Sequence, residues 1–214
     1  MKNNLRFKAY ENIKNRIIYF ELKPGDKIFE SEIAKSLKIS RTPVREALLM
    51  LENEGLVKCD DSLGFIIRKL SSKEVQEYFS IRTVIELFAV PLIIERISHS
   101  EIRELEQNVK EAEASVERKD FQNIIRCETE FHDILYKSMK SEVFFQTISG
   151  LIDKFQWLRA IALNAQGGAR QSIDDHKKML NALEKKNGKE LKKHTKLHLQ
   201  HAAKKYVLKQ GVFL

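Results

Sequence analysis

The sequence predicts a mainly α protein built in two parts, and three observations carry that prediction. Proline and glycine are scarce, 3 and 8 in 214 residues, which favours long uninterrupted helices over a turn-rich β sandwich. Their placement is uneven: Pro24-Gly25, Gly55 and Gly64 crowd the first part, whereas the stretch from Leu70 to Ser149 contains no glycine. Apolar side chains recur at helical spacing through most of the chain and change to short strand-like runs between Leu56 and Arg68. The expected division is residues 1–70 and residues 71–214.

In the first part, Phe7, Tyr10, Ile13, Ile17 and Phe20 recur at helical spacing, and Lys23-Pro24-Gly25-Asp26 supplies the turn that ends this helix. A second helix is expected from about Ser31 to Leu37, with Ile33, Ala34 and Leu37 on its apolar side and Lys38-Ile39-Ser40 as a tight connection. A third carries Val44, Ala47, Leu48 and Leu51 inward and stops near Gly55. Pro43 is compatible with its first turn, where a missing N–H has no partner to lose. Ser40 or Thr42 can supply the N-cap oxygen. Leu56-Val57-Lys58-Cys59 and Phe65-Ile66-Ile67-Arg68 read as strands around a polar turn, Asp60 to Gly64. Three helices and a hairpin make a winged helix-turn-helix.

The second part reads as helices throughout, at about Ser72–Ile97, Ser100–Arg118, Asp120–Met139, Ser141–Leu163, Gln171–Lys186 and Lys189–Lys209. Pro91 should kink or end the second half of the first of these. About six helices with short connections predict a compact antiparallel bundle.

Composition narrows the function classes. Lys and Arg number 38 against 30 Asp and Glu, a net charge of +8, which suits an anionic partner such as nucleic acid or a membrane surface. Two cysteines, Cys59 and Cys127, cannot build a disulfide framework. The start has no apolar signal core, and the longest apolar run, Leu87 to Ile94, is far short of a membrane span. A soluble cytoplasmic protein is expected.

The string Ser40-Arg41-Thr42-Pro43-Val44-Arg45-Glu46-Ala47-Leu48 carries the most chemistry. Arg41 and Arg45 are four apart, so they project from one side of the third helix near its N-terminus. That end presents free N–H groups and partial positive charge, both suited to phosphate. A major groove admits one helix, and an arginine fork can bond guanine O6 and N7 with about 1–3 kcal/mol of discrimination. Ser40 and Thr42 offer short donors suited to the backbone, and Gly64 would let main chain approach the minor groove. The alternative is that both arginines are ordinary solvated charges. From Leu22 to Arg68, Pro24-Gly25, Glu32-Ile33-Ala34, Leu37, the string above and Leu51-Glu52-Asn53-Glu54-Gly55-Leu56-Val57 resemble the GntR family of bacterial transcription regulators. The resemblance implies that Arg41 and Arg45 contact bases or phosphates, that Ser40, Thr42 and Pro43 lie at the DNA backbone, and that Gly64 marks the wing. Ser31 stands where relatives often carry arginine, which implies a weaker phosphate contact there.

Five of the six histidines fall from His132 onward. Glu128 and His132 are four apart, His176 follows Asp174 and Asp175, and His194, His198 and His201 form one stripe. A carboxylate and imidazoles from three helices is how a bundle builds a metal site in its core, although a histidine stripe on a lysine-rich helix is also an ordinary solvated face. With Arg82 and Glu86 in an Arg-x-x-x-Glu motif, the region from Val75 to Val207 resembles the FCD ligand-binding domain of the FadR-type branch. That resemblance implies a divalent metal, Zn, Ni or Mn, on Glu128, His132, His176 and His198, with His194 the alternative to His198 on spacing alone. Glutamate at 128 replaces the commoner aspartate, and its extra methylene either reaches the metal or displaces it. Ligation needs neutral imidazoles, so metal affinity should fall below about pH 6.5.

In relatives with this set the metal holds a small effector, often a carboxylate. Arg82 is then either a clamp for that carboxylate or an ion pair with Glu86. Phe155 and Trp157 are expected in the core, and the run Lys185-Lys186, Lys189, Lys192-Lys193 and Lys196 on a solvated face. The expected function is a ligand-responsive homodimeric transcription regulator, a repressor, on a palindromic double-stranded operator in the bacterial cytoplasm and nucleoid. Its effector would be an organic acid. One alternative is the same dimer with a metal-free pocket or a purely structural bundle; a more remote one is a metal-dependent enzyme.

Overall fold

The computed structural model describes residues 2–210. The chain divides into two compact units at Leu70 and Ser71.

The N-terminal unit holds helices α1 (Lys2–Ile18), α2 (Glu30–Leu37) and α3 (Arg41–Asn53) with strands β1 (Lys27–Ile28), β2 (Val57–Asp60) and β3 (Gly64–Ile67). Ile13 and Ile17 of α1, Val44, Ala47, Leu48 and Leu51 of α3, and Leu56 and Ile67 are all fully buried and form its core. Two members of the expected α1 stripe depart from it. Phe7 is 45% exposed. Phe20 lies beyond the helix end, at a left-handed φ of 62°. At the start of α3, Ser40 has the extended N-cap backbone but no side-chain capping bond, and Thr42 already lies within the helix. The first turn is thus uncapped by a hydroxyl, contrary to expectation.

The sheet has the antiparallel order β1-β3-β2, with Lys27 opposite Ile66, Ile28 opposite Phe65, and Asp60 opposite Gly64. The expected hairpin is β2-β3; β1 adds a short third strand. Asp60 closes the turn by accepting from the backbone N–H groups of Ser62 and Leu63 and from the Ser62 hydroxyl. Gly64 ends that turn at φ +75°, where an added Cβ would meet nothing within 4 Å. Glycine is needed there for its backbone conformation rather than for space.

The C-terminal unit is a bundle of six helices: α4 (Ser72–Arg96), α5 (His99–Arg118), α6 (Phe121–Ser138), α7 (Glu142–Leu163), α8 (Gly168–Glu184) and α9 (Gly188–Gln210). Serine residues 71 and 98 open α4 and α5 with capping boxes to Glu74 and Glu101, and Asp120 and Ser141 cap α6 and α7. Each such cap is worth about 1 kcal/mol. Pro91 does not end α4, which runs through to Arg96. Flanking helices bury Ala89, Val90 and Ile93 around it, and tertiary packing outweighs the one backbone bond a proline removes. Leu105, Val109, Phe131, Leu135, Met179 and Leu183 complete that apolar core. Beside it lies a buried polar chamber with side chains from α4, α6, α7, α8 and α9: Arg82, Glu86, Glu128, His132, Arg159, Asp175, His176 and His198. Among the described residues, no helix is long and apolar enough to cross a membrane.

Candidate DNA-contact groove and buried Glu/His cluster

In the N-terminal unit, Ser31, Arg41, Arg45 and Gly64 line one shallow groove with Lys27, Glu30 and Asp60. Ser40, Thr42 and Pro43 sit at the start of α3, the two hydroxyl residues exposed. The helical spacing puts Arg41 and Arg45 on the open side of α3, while Val44, Ala47 and Leu48 hold the opposite side in the core. Arg45 is held at two points: its Nη1 lies 3.3 Å from Glu30 Oε1, and its guanidinium stands 5.5 Å from the Phe65 ring centre. These contacts to α2 and β3 orient an otherwise exposed side chain. Sequence reasoning missed Glu30, because a pairing across 15 residues leaves no local spacing signal.

In the C-terminal unit, Glu128, His132, His176 and His198 converge with ligand atoms all within 4.8 Å of one another. Glu128 Oε1 stands 3.5 Å from His132 Nε2 and 3.7 Å from both His176 Nε2 and His198 Nε2. Two ligands of a tetrahedral ion at about 2.1 Å stand about 3.4 Å apart, so the donor set has the right reach and type for a divalent metal. His176 Nε2 and both nitrogens of His198 are buried without a hydrogen-bond partner, an arrangement that an added Lewis acid would satisfy. The donors therefore suit the implied ion.

The surroundings tune these ligands. Burial pushes all three imidazoles below their ordinary pKa, His132 and His198 most strongly; the charge of Arg82 adds to this at His132, and His176 adds to it at His198. The rings are thus kept neutral, as ligation requires. Burial alone would raise the Glu128 carboxyl, but attraction to His176 or His198 whenever either is protonated, the charge of Arg159 and a hydrogen bond from Ser172 bring it down to about 2. The Ser172 hydroxyl donates to Glu128 Oε2 at 2.6 Å, and Phe131 stacks on His176 with ring centres 3.7 Å apart.

The remaining histidines separate. His194 pairs with Glu190 at 3.3 Å, and His201 bonds Asp175 at 2.8 Å; only His198 of that stripe enters the cluster. Arg82 makes the ion pair with Glu86 considered for it. Its Nε bonds Glu86 at 2.6 Å, its Nη2 lies 3.1 Å from His132 Nε2, and its Nη1 has no partner. The Tyr136 hydroxyl donates to Glu86 at 2.9 Å. Phe155 and Trp157 are fully buried, and the lysine run from Lys185 to Lys196 is exposed. Asp175, Ser172 and Arg159 were not anticipated. Asp175 had a faint signal, as the acid next to His176, but the other two had none.

A family model described as "FCD domain" matches residues 77–201, and one described as "Bacterial regulatory proteins, gntR family" matches residues 5–67. The chain is similar to the uncharacterized HTH-type transcriptional regulator YdhC of Bacillus subtilis (strain 168), 31% identical over 94% of this chain and 92% of that one. It is also similar to the HTH-type transcriptional repressor RspR of Escherichia coli (strain K12), 25% identical over 89% and 84%. Among solved structures, E. coli McbR/YncC matches with a TM-score of 0.76 at 24% identity, over 92% of this chain and 93% of that one. A GntR regulator from Rhodococcus sp. RHA1 matches at 0.77 and 18%, over 98% and 99%. At those identities the structural matches speak for the fold. The families and named relatives are transcription regulators, which sets the metal-dependent enzyme aside. With both units matched and a 31% identical relative spanning nearly the full length, the chain belongs to the GntR family of bacterial transcription regulators, with an FCD domain as its C-terminal unit.

Proposed function

We propose that the protein is an effector-responsive repressor that binds a palindromic operator as a homodimer and senses a small organic acid in its C-terminal unit. The observation that carries the sensing half is the buried cluster in which Glu128 Oε1 stands 3.5–3.7 Å from three imidazole nitrogens. A divalent ion held by Glu128, His132, His176 and His198 would supply a Lewis-acid anchor for a carboxylate. Ser172 orients Glu128 for that role, and the partnerless Nη1 of Arg82 offers the acid a donor.

The operator half rests on Arg41 and Arg45 reading base edges from the major groove, with Ser31, Ser40, Thr42 and Pro43 at the backbone and the Gly64 turn at the minor groove. A repressor role is supported by the name of the relative RspR. Response requires that the acid bind one bundle arrangement better than another, and operator DNA must then alter acid affinity by the same factor. A metal-free version is favoured by one contact, Arg82 Nη2 at 3.1 Å from His132 Nε2. There the guanidinium occupies a ring nitrogen that would otherwise be a ligand, and the acid would pair with Arg82 directly.

Selection of duplexes from a random library by the purified protein tests the operator reading. The expected product is an inverted repeat whose half-sites lie about one helical turn apart. Arg45→Ala should then lose about ten- to hundredfold in affinity for it while binding unrelated duplex nearly as well as before. Recovery of no sequence, or of a single unpaired half-site, would contradict the reading.

A further inference from the structure

Arg159 on α7 carries a buried charge with no hydrogen-bond partner among the described residues; Glu128 and Glu86 act on it only across a distance. Its side chain is buried, and none of its Nε, Nη1 and Nη2 atoms has a hydrogen-bond partner. A guanidinium taken from water and left without hydrogen bonds is strongly disfavoured, and an anion placed against it would relieve that cost. The chamber's own carboxylates are engaged elsewhere. Glu86 is bonded by Arg82 and Tyr136. Glu128 accepts from Ser172 and faces the imidazoles, and Asp175 is bonded by His201 and Gln171.

Arg159 lines a narrow pocket together with Glu128, Ser172, Asp175 and His198. Arg82 reaches the same cluster from α4, through His132, and keeps its own free Nη1. The two guanidiniums repel each other, and together with burial this lowers the pKa of Arg159. Arg82 alone, with the cluster, is sufficient for a monocarboxylate. Arg159 adds a second fixed positive charge and three further donors, which a monoanion would leave unsatisfied.

We infer that the effector is a short dicarboxylate, with one carboxylate at the Glu/His cluster and Arg82 and the other on Arg159. This rests on the reading of the chamber as the effector site and adds its charge class. It makes Arg159 the residue that separates diacids from monoacids, since a site built to satisfy two buried groups rejects a ligand that leaves one unpaired.

The test is calorimetric titration of the full-length protein, with and without added Zn, using malonate, succinate, glutarate and adipate, each against its own monoamide. The paired ligands match in size and differ by one charge. At least one diacid should bind ten- to hundredfold more tightly than its monoamide. Arg159→Gln should bring that ratio close to one while leaving the monoamide's affinity within about twofold. The ligand-free variant should melt at the wild-type temperature or above, because it has lost an unpaired buried charge; a melting temperature several degrees lower would assign Arg159 a structural role and overturn the inference. Equal binding of diacid and monoamide by the wild type, or a ratio that survives Arg159→Gln, would overturn it while leaving the chamber an effector site. Binding of neither ligand would remove the small-acid effector reading and this inference together.

Discussion

Glu128 carries one methylene more than aspartate, and its two oxygens do separate jobs. Oε1 faces three imidazole nitrogens at 3.5–3.7 Å, while Oε2 accepts from the Ser172 hydroxyl at 2.6 Å. The hydroxyl therefore fixes the carboxylate from behind, as outer-shell partners of metal ligands do. Ser172→Ala is expected to lower Zn affinity about ten- to hundredfold and to leave binding of unrelated duplex DNA unchanged. Titration with a competing chelator measures this, and an unaltered affinity would mean that Glu128 is positioned without Ser172. Much of this cluster was legible, because Glu128 and His132 are one helical turn apart and His176 and His198 lie at recognisable positions. The choice of His198 over His194 was not fixed by spacing: both share a helix face, and only contacts to other helices separate them. Arg159 and Ser172 were illegible for the same reason, since each acquires its role from residues distant in the chain.

Helix α4 shows what pattern reading at the level of an element can and cannot resolve. Its inner face, Val75, Phe79, Arg82, Glu86 and Ala89, is buried as the helical spacing requires. Its outer face is also apolar: Ile81 is 46% exposed, Val84 71% and Phe88 64%, with Val143 of α7 at 76%. Such a stripe marks an interaction surface rather than a solvated one. In the proposed homodimer a second copy of this chain would cover it, since the proposed palindromic operator calls for two heads related by symmetry. Val84→Glu combined with Phe88→Glu should turn the proposed dimer into a folded monomer in light scattering after size-exclusion chromatography. A variant that remains dimeric would exclude this face. The six long helices were readable because caps and breaks bracket each one. The two-residue strand β1 was not, since its existence depends on pairing with β3 across the unit. Pro91 misled for a related reason, because packing on α4 keeps the helix intact through it.

At the scale of the whole molecule, each unit has its own core and its own chemistry: exposed arginines on one, a buried Glu/His chamber in the other. The proposed signalling between them would be a coupling free energy, which is measurable from either side. The proposed sensing role depends on what the chamber holds. Native mass spectrometry of the purified protein, before and after dialysis against chelator, tests this most directly. A dimer carrying one metal ion per chain, lost with chelator and regained on adding Zn, Ni or Mn, is the expected result. A dimer that takes up none of these ions would contradict the account and leave a metal-free pocket around Arg82.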